Sequence, residues 1–402
     1  MAVILSRRAS DHIDRAHRIS SAGLSGIKHL CHRRVHTTAL YLPDAALLHG
    51  LAVYRERTVM RAVRCLGWLV SILILGTATG LSVIGLWPSD CTSPLAPGAN
   101  LRGCDFRGQD FSGKKLNGII LAGADLREAD FTGATLVNVS LENTDLSGAD
   151  FTAASISSVN FTGARLNGAS FSKAELRDSS LILTSLLNAS LNSTRLENVL
   201  VEHANLSGAS LHGTIIHQSS MISSRFDNVT FEETTLNGVN FRHANFNNTR
   251  IARSHISDIR IYAARFDNLA FSDSTLTGIN RNRRAGLPIA GTRLSLIRSC
   301  ISDSYFGSAE IAELVMESTR LHDINLDGAE IQMARLADIY LDRVSLRKNR
   351  QDVPFRLGRL QSSGVRTSGT SLENTRIEGD ISTILPVDSS PESFPSECKP
   401  SP

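Results

Sequence analysis

The chain has 402 residues, room for two or three ordinary domains, and 42% of them are hydrophobic but only 5% aromatic, which argues against a large aromatic core. Its formal net charge of +3 singles out no class of partner. Six cysteines, at 31, 65, 91, 104, 300 and 398, include no CxxC pair and lack the density of a disulfide framework.

Residues 1–65 form a basic N-terminal region. The stretch from Ser6 to Leu40 is rich in Arg, Ser and His and resembles an organellar presequence, but Asp11 and Asp14 argue against that, and a partly disordered cytoplasmic arm is the expectation. His29, Cys31, His32 and His36 have ligand-type spacing for zinc, yet Arg33 and Arg34 between them repel a cation, so no metal site is expected. "DAALLHGLAVYRERTVMRAV" reads as a helix leading towards a long apolar run.

That run, from Leu66 to Trp87, has 22 residues without a charge, long enough for an α-helix to cross a bilayer. Trp68 and Trp87 stand near its ends, where amphipathic aromatics favour the interface. Residues 1–64 carry 11 Lys/Arg against 4 Asp/Glu, and Asp90 is the first charge after the run. This asymmetry predicts a single-pass membrane protein with its N-terminus in the cytoplasm and the rest outside, or the equivalent arrangement in an organellar inner membrane. No A-x-A site comes after the run, which favours an uncleaved anchor over a signal peptide beginning at Met60. Gly76 and Gly80 form a GxxxG pattern, a candidate face for homodimer formation in the membrane. Residues 88–98 read as a linker.

A five-residue repeat then begins. Counting fives from Leu101 to Leu276, all 36 positions are Leu, Phe, Ile, Val or Met, and the residue two before is nearly always small. Neither the 3.6-residue period of a helix nor the 2-residue period of a strand explains this. A chain that turns a corner at each unit does: four units close a square coil of about 20 residues, and coils stack at about 4.8 Å like neighbouring strands. One large and one small side chain per unit point inward, and Gly, Asn, Asp and Ser serve the corners.

The units "ADLREADF", "ADFTGATL", "TDLSGADF" and "ANLSGASL" are similar to the A(D/N)LXX units of the pentapeptide-repeat family. The resemblance spans Ala99 to about Leu346. It implies an all-β solenoid, a right-handed quadrilateral β-helix, here preceded by one transmembrane α-helix, and a binding or scaffolding element rather than an enzyme.

The β-helix is expected over 99–278 and again over 294–348. Between them, over 279–293, Arg281, Gly286 and Gly291 take the large-residue position, so an irregular insertion is predicted, either a loop or a distorted coil. The two parts hold 36 and 11 units, nearly twelve coils and about 55 Å of rod. Leu372 and Ile377 could add a fragment, but 349–402 reads as a largely disordered tail.

Side chains 20 apart share a face. Asp105, Asp125 and Asp145 form one outward ladder and Asp110, Asp130 and Asp150 another, and solvation rather than a bound cation is the expectation for both. Ten arginines and three acids lie between Arg242 and Arg298. Arg242, Arg250, Arg253, Arg260, Arg265, Arg281, Arg283 and Arg284 are therefore candidates for binding an anion or a partner, since a guanidinium fork fits phosphate and carboxylate. His203 and His243 share a face two coils apart, too far for joint ligation. Seven Asn-x-Ser/Thr sequons arise from the repeat's own composition and carry no weight. No nucleophile–base grouping, phosphate-cradling loop or cofactor motif is visible, so no enzyme and no cofactor are expected. Quinolone-resistance members of the family are thought to imitate DNA with an acidic rod. Residues 99–350 carry 27 acids and 26 bases, which does not fit such a rod. Nucleic acid is not expected as a partner. The sequence thus points to a membrane-anchored scaffold for an unidentified protein. The alternatives are an anionic lipid or polymer bound at the arginines, or a secreted effector acting at a host membrane.

Overall fold

A computed structural model describes residues 91–92, 95–281, 288–349, 353, 355–370, 376–379 and 384–386. The regular elements among them are β-strands joined by turns, and no described helix could cross a membrane. The expected membrane span 66–87, with Gly76 and Gly80, lies outside the described residues, as does the N-terminal arm.

The five-residue unit behaves as a side of a coil. Leu121, Leu126, Phe131 and Leu136 are fully buried, and so are the small residues Ala129 and Ala134. Two places after each large residue the backbone turns through the left-handed region, at Glu128 (φ 59°), Gly133 (φ 63°) and Asn138 (φ 52°). Each left-handed residue makes one corner, which explains the Asn, Asp and Gly found there. Coils join by backbone hydrogen bonds: Leu126 N donates to Asp145 O at 2.7 Å, and Asp145 N to Ala124 O at 3.1 Å. Residues 20 apart pair in parallel register on all four sides, as at Asn100–Ile120, Asp105–Asp125, Asp110–Asp130 and Lys115–Thr135.

The outward Asp or Asn of the repeat has a structural task. Asp130 Oδ1 accepts the N–H of Thr132 at 2.8 Å, and Asn160 Oδ1 that of Thr162 at 3.0 Å, steering the chain into the next corner. Inside, Phe111, Phe131, Phe151 and Phe171 stack with centroids 4.7–4.8 Å apart, the coil spacing itself. Where the small inward residue is Thr, its hydroxyl finds a carbonyl, either across the coils, as in Thr194 to Phe171 O and Thr214 to Leu191 O, or within its own coil, as in Thr144 to Leu141 O, all 2.7 Å.

One side forms a 14-stranded parallel sheet from Lys115–Asn117 to Ile384–Pro386, which at 13 spacings of 4.8 Å runs about 62 Å. The preceding side becomes regular strand only from Ser210–His212 onward, in a 10-stranded sheet.

The square plan does not persist through the second part. Leu269 pairs with Leu294, which sets Arg293 over the corner residue Asn268 (φ 61°). Arg293 is not left-handed; it lies inside the straight eight-residue strand Ala290–Ile297. Glu310–Glu317, Glu330–Ala337 and Arg356–Ser363 repeat this arrangement. Two sides have merged into one, so the quadrilateral description applies to the earlier coils and not to these.

At the insertion the pairing step lengthens from 20 to 25 residues, with Thr275 opposite Cys300. Ile279, Asn280 and Ile289 are buried, and a regular strand begins at Ala290, inside the stretch 279–293 expected to be irregular. Gly291, in the large-residue position, is covered by the Phe266 ring of the previous coil: a β-carbon there would stand 2.1 Å from Phe266 Cε2.

Strands also continue past 348. Arg356–Ser363 pairs with Glu330–Ala337 and Val365–Ser368 with Tyr340–Asp342, both at a step of 26. The step has six residues more than a regular coil, one beyond a multiple of five, which moves the buried Leu357, Leu360 and Val365 off the series of fives and hides them from a count of that period. At the other end, Cys91 and Cys104 form a disulfide (Cα–Cα 5.6 Å) that ties the stretch read as a linker to the first coil, where Leu95 packs on the core. Cys300 is disulfide-bonded as well. Neither bond was expected from the cysteine spacing.

Candidate binding surfaces

A square coil scatters residues that are close in sequence. Arg250 stands in the column Thr230–Arg250–Ala270, Arg260 beside Asn240 and Arg265 beside Asn245, on three different sides. The six described candidate arginines therefore do not form one patch. Arg253 donates to both Glu232 and Glu233, and Arg281 lies 3.3 Å from Asp258 and 3.7 Å from Asp303. Arg283 and Arg284 lie outside the described residues. The closest surviving group is Arg242 and Arg260 on one side with Arg265 on the next, around the corner column that holds His243 and Ala263. All three are exposed and make no ion pair among the described residues. His203 and His243 are left-handed corner residues in one column, two coils apart, as the period required.

The first acidic ladder is neutralised locally, and the second is hydrogen-bonded to neutral groups. Asp105 bonds Arg107 at 2.6 Å and Asp125 bonds Arg127 at 2.6 Å, while Asp145 faces Arg165 of the next coil at 3.5 Å. The hydrogen bond from the Arg107 guanidinium holds the Asp105 carboxyl down at about 2. Asp110 bonds the backbone N–H and hydroxyl of Ser112. These carboxylates have partners of their own, and no group of His, Cys, Asp and Glu suited to a metal occurs among the described residues.

The repeat pattern is matched by two family models. One, described as "Pentapeptide repeats (8 copies)", matches overlapping windows from 99 to 198, and another, "Pentapeptide repeats (9 copies)", matches 202–245. The coils from residue 99 to 245 carry pentapeptide repeats. No curated protein matches the sequence. Among solved structures, the chain is similar to QnrB1, a plasmid-mediated fluoroquinolone resistance protein, at 18% identity over 40% of this chain and 80% of that one, with a TM-score of 0.31. It is similar to HetL, a pentapeptide-repeat protein involved in heterocyst differentiation regulation in Nostoc, at 17% identity over 72% and 92%, TM-score 0.16. It is also similar to a mannuronic-acid-specific polysaccharide lyase from human gut microbiota, at 8% identity over 73% and 86%, TM-score 0.32. Scores this low transfer no function.

One polar network in the later coils was missed by reading along the sequence. Stepping by 20 would have found it. Ser302, His322 and Asp342 occupy register-paired positions on successive strands. These are the residue types of a hydrolytic triad, but the bonds differ. His322 Nδ1 lies 2.7 Å from Asp342, whereas its Nε2 accepts from Arg343 at 2.6 Å. The Ser302 hydroxyl lies instead 3.0 Å from Thr277 Oγ1. With Nε2 occupied by a guanidinium, no base is available to a serine. Arg343 also grips Asp323 through two bonds of 2.6 Å, which lowers the pKa of that carboxyl. The adjoining cleft, lined by Arg281, Asp303, Tyr305, Asp323, Asn325 and Arg343, is polar and shallow.

Inside the later coils lies a small cavity of about 100 Å³ with entirely apolar lining, from Phe231 to Ile331. It marks the zone where square coils give way to the wider form. A cavity without a polar atom offers no chemistry for turnover.

Proposed function

We propose that this pentapeptide-repeat protein is a non-catalytic scaffold. Residues 66–87 anchor it in a membrane, the N-terminus is cytoplasmic, and the β-helix is displayed on the other side for a protein partner. The observation that carries this reading is the arrangement of the surface: outward side chains stand in straight columns at constant spacing over a packed apolar interior. Such a surface is pre-ordered, so a partner binds it without the entropy loss of folding a flexible segment. The disulfide Cys91–Cys104 and the bonded state of Cys300 support an oxidising, extracytoplasmic location for the rod. Gly76 and Gly80 supply the small-residue face for pairing two anchors.

Photo-crosslinking residues placed at Ser180, Asn205, Ser190 and Thr235, one on each side, test the scaffold role in intact cells. A discrete protein adduct from at least one side is expected, and none from any side would refute it. A variant keeping only Cys31 tests the topology. Labelling of that thiol by an impermeant maleimide from outside would reverse the assignment.

A second reading rests on Arg242, Arg260 and Arg265, which lack carboxylate partners among the described residues and so are available to an anionic lipid or polymer. Arg260→Glu with Arg265→Glu should abolish binding to vesicles containing phosphatidylserine or to a polyanion. Unchanged binding removes this reading.

A further inference from the structure

The interior of the later coils is not filled as the earlier ones are. In the square coils the large inward residues Leu126, Phe131, Leu136 and Phe151 are fully buried. Around the insertion residues of the same kind keep some surface: Leu269 is 8% exposed, Phe271 9% and Leu314 7%. All three line the apolar cavity of about 100 Å³. Its cause is geometric. The corner at Asn268 has no counterpart at Arg293, so the straight strand Ala290–Ile297 walls a wider coil, and Gly291 brings no side chain to a large-residue position. Native interiors are packed as closely as organic crystals, and side chains beside a void lose their contacts on that side.

We propose that this cavity is a binding site for a small apolar molecule without hydrogen-bonding groups, between xenon and benzene in size. A water needs only about 10–15 Å³ of such space, but it also needs two to four polar partners. The lining offers no polar atom, so the space stays dry although water would fit. A dry cavity of about 150 Å³ lined by Leu, Ile and Phe takes up benzene or xenon, and this one has the same type of lining and a volume of the same order. Met316 adds a thioether to the wall, which adapts its shape and makes favourable contacts with an aromatic ring. Polar molecules are excluded, because each of their hydrogen-bonding groups would be buried without a partner. Occupancy restores contacts that the widened coil lacks, so a bound molecule stabilises the coils around the insertion. This inference goes beyond the scaffold reading and does not depend on the membrane anchor.

The test is a titration of benzene into the full chain held in lipid nanodiscs, with isoleucine δ1 methyl groups labelled with carbon-13. Ile279, Ile301 and Ile324 line the cavity, whereas Ile156 and Ile216 are buried in the square coils away from it. The methyl resonances of the first three should shift and saturate while those of Ile156 and Ile216 stay in place. No shift, or equal shifts in both groups, would overturn the proposal. Phenol has the same ring plus one hydroxyl, and at equal free concentration it should bind at least about tenfold more weakly. Equal binding would show that the site is not the dry apolar cavity. Ala264 lines the cavity from a small inward position, so Ala264→Leu fills it and should abolish the benzene shifts. Leu314→Phe makes the same comparison from another wall if Ala264→Leu does not fold. Benzene shifts that persist in a folded, filled variant would place the molecule elsewhere and overturn the proposal.

Discussion

Arg298 reaches across the 25-residue step to Asp273, donating from Nε to Oδ1 at 2.6 Å and from Nη2 to Oδ2 at 2.8 Å. The two belong to a corner column in which charge alternates, Glu233, Arg253, Asp273 and Arg298, with Arg253 bonded to Glu233 below. The column keeps its ladder of ion pairs although five residues have been added to the coil, so the corner itself is conserved across the insertion while the neighbouring one at Asn268 is lost. Alternation also explains how Arg253 and Arg298 of that sequence cluster are neutralised, while Arg242, Arg260 and Arg265 on other columns are not.

The Asp273–Arg298 pair sets a pH dependence. The hydrogen bond from Arg298 lowers the pKa of the Asp273 carboxyl, so its contribution is fully present above the unfolded value near 3.9 and is lost as pH falls through the folded value. Both side chains are well exposed, 40% and 60%, and solvent screening limits the contribution to about 0.5 kcal/mol. Urea unfolding of Asp273→Asn should show a deficit of that size at pH 7 that shrinks progressively as pH falls below the unfolded value. A deficit that does not change with pH across the acid range would mean the charge is not its source.

Gly291 is required by a close approach rather than by a turn. The Phe266 ring occupies the space that a side chain in this large-residue position would fill. Gly291→Ala should therefore destabilise the coils around the insertion by about 1–3 kcal/mol, the usual range for overpacking. Combining it with Phe266→Leu, which withdraws the ring, should recover more than half of that loss. Additive losses in the double variant would show that the two sites do not share this space.

Buried hydroxyls at the small inward position act as cross-coil braces. Thr214 is fully buried and its hydroxyl donates to Leu191 O at 2.7 Å. Thr214→Val keeps the shape but removes the donor and leaves the carbonyl lone pair unmatched, at a cost of about 1–2 kcal/mol. Because the solenoid is held by nearest-neighbour contacts, faster amide exchange should be confined to the coils adjoining 191–214. Uniformly faster exchange along the rod would instead indicate one global unfolding unit.

How much of this the sequence disclosed depends on whether a feature keeps the period. Leu126, Phe131 and their small partners Ala124 and Ala129 obey it, and the coil, its corners and the face-sharing of residues 20 apart come from counting. Arg293 was opaque, because keeping the count of fives through the insertion does not tell whether its backbone is extended or left-handed. No residue type forbids a straight strand there, and only pairing with the merged strand Glu310–Glu317 reveals it. Leu357 and Leu360 were hidden because the step to that coil, 26 residues, is not a multiple of five. The dispersal of Arg250, Arg260 and Arg265 over three sides was available from the same counting, but the eye groups residues by distance along the chain. The pair His322–Asp342 and the Cys91–Cys104 bond join residues through the coil and the cap, and neither has a local signature.

That bond at Cys91 and Cys104 seals the end of the stack where no earlier coil is described. Cys104 takes the small inward position of the first coil and is 1% exposed, so the disulfide pulls the preceding stretch across the end of the core near Leu101, Phe106 and Leu95. An end of a β-helix exposes both an unpaired strand edge and apolar interior, and covering it guards against edge-to-edge association. Closing a loop of 13 residues restricts the unfolded chain by about 3 kcal/mol on the entropy account. Cys91→Ser should therefore leave the central coils intact but let the first coil exchange its amides about a hundredfold faster, and should raise concentration-dependent self-association measured by light scattering. Substituting Cys104 adds a change in the core itself, so Cys91→Ser is the cleaner variant. If amide protection in the first coil is unchanged by Cys91→Ser, the packing of Leu95 and the backbone bond from Gly98 N to Asn117 O are sufficient to close the end, and the disulfide is not what seals it.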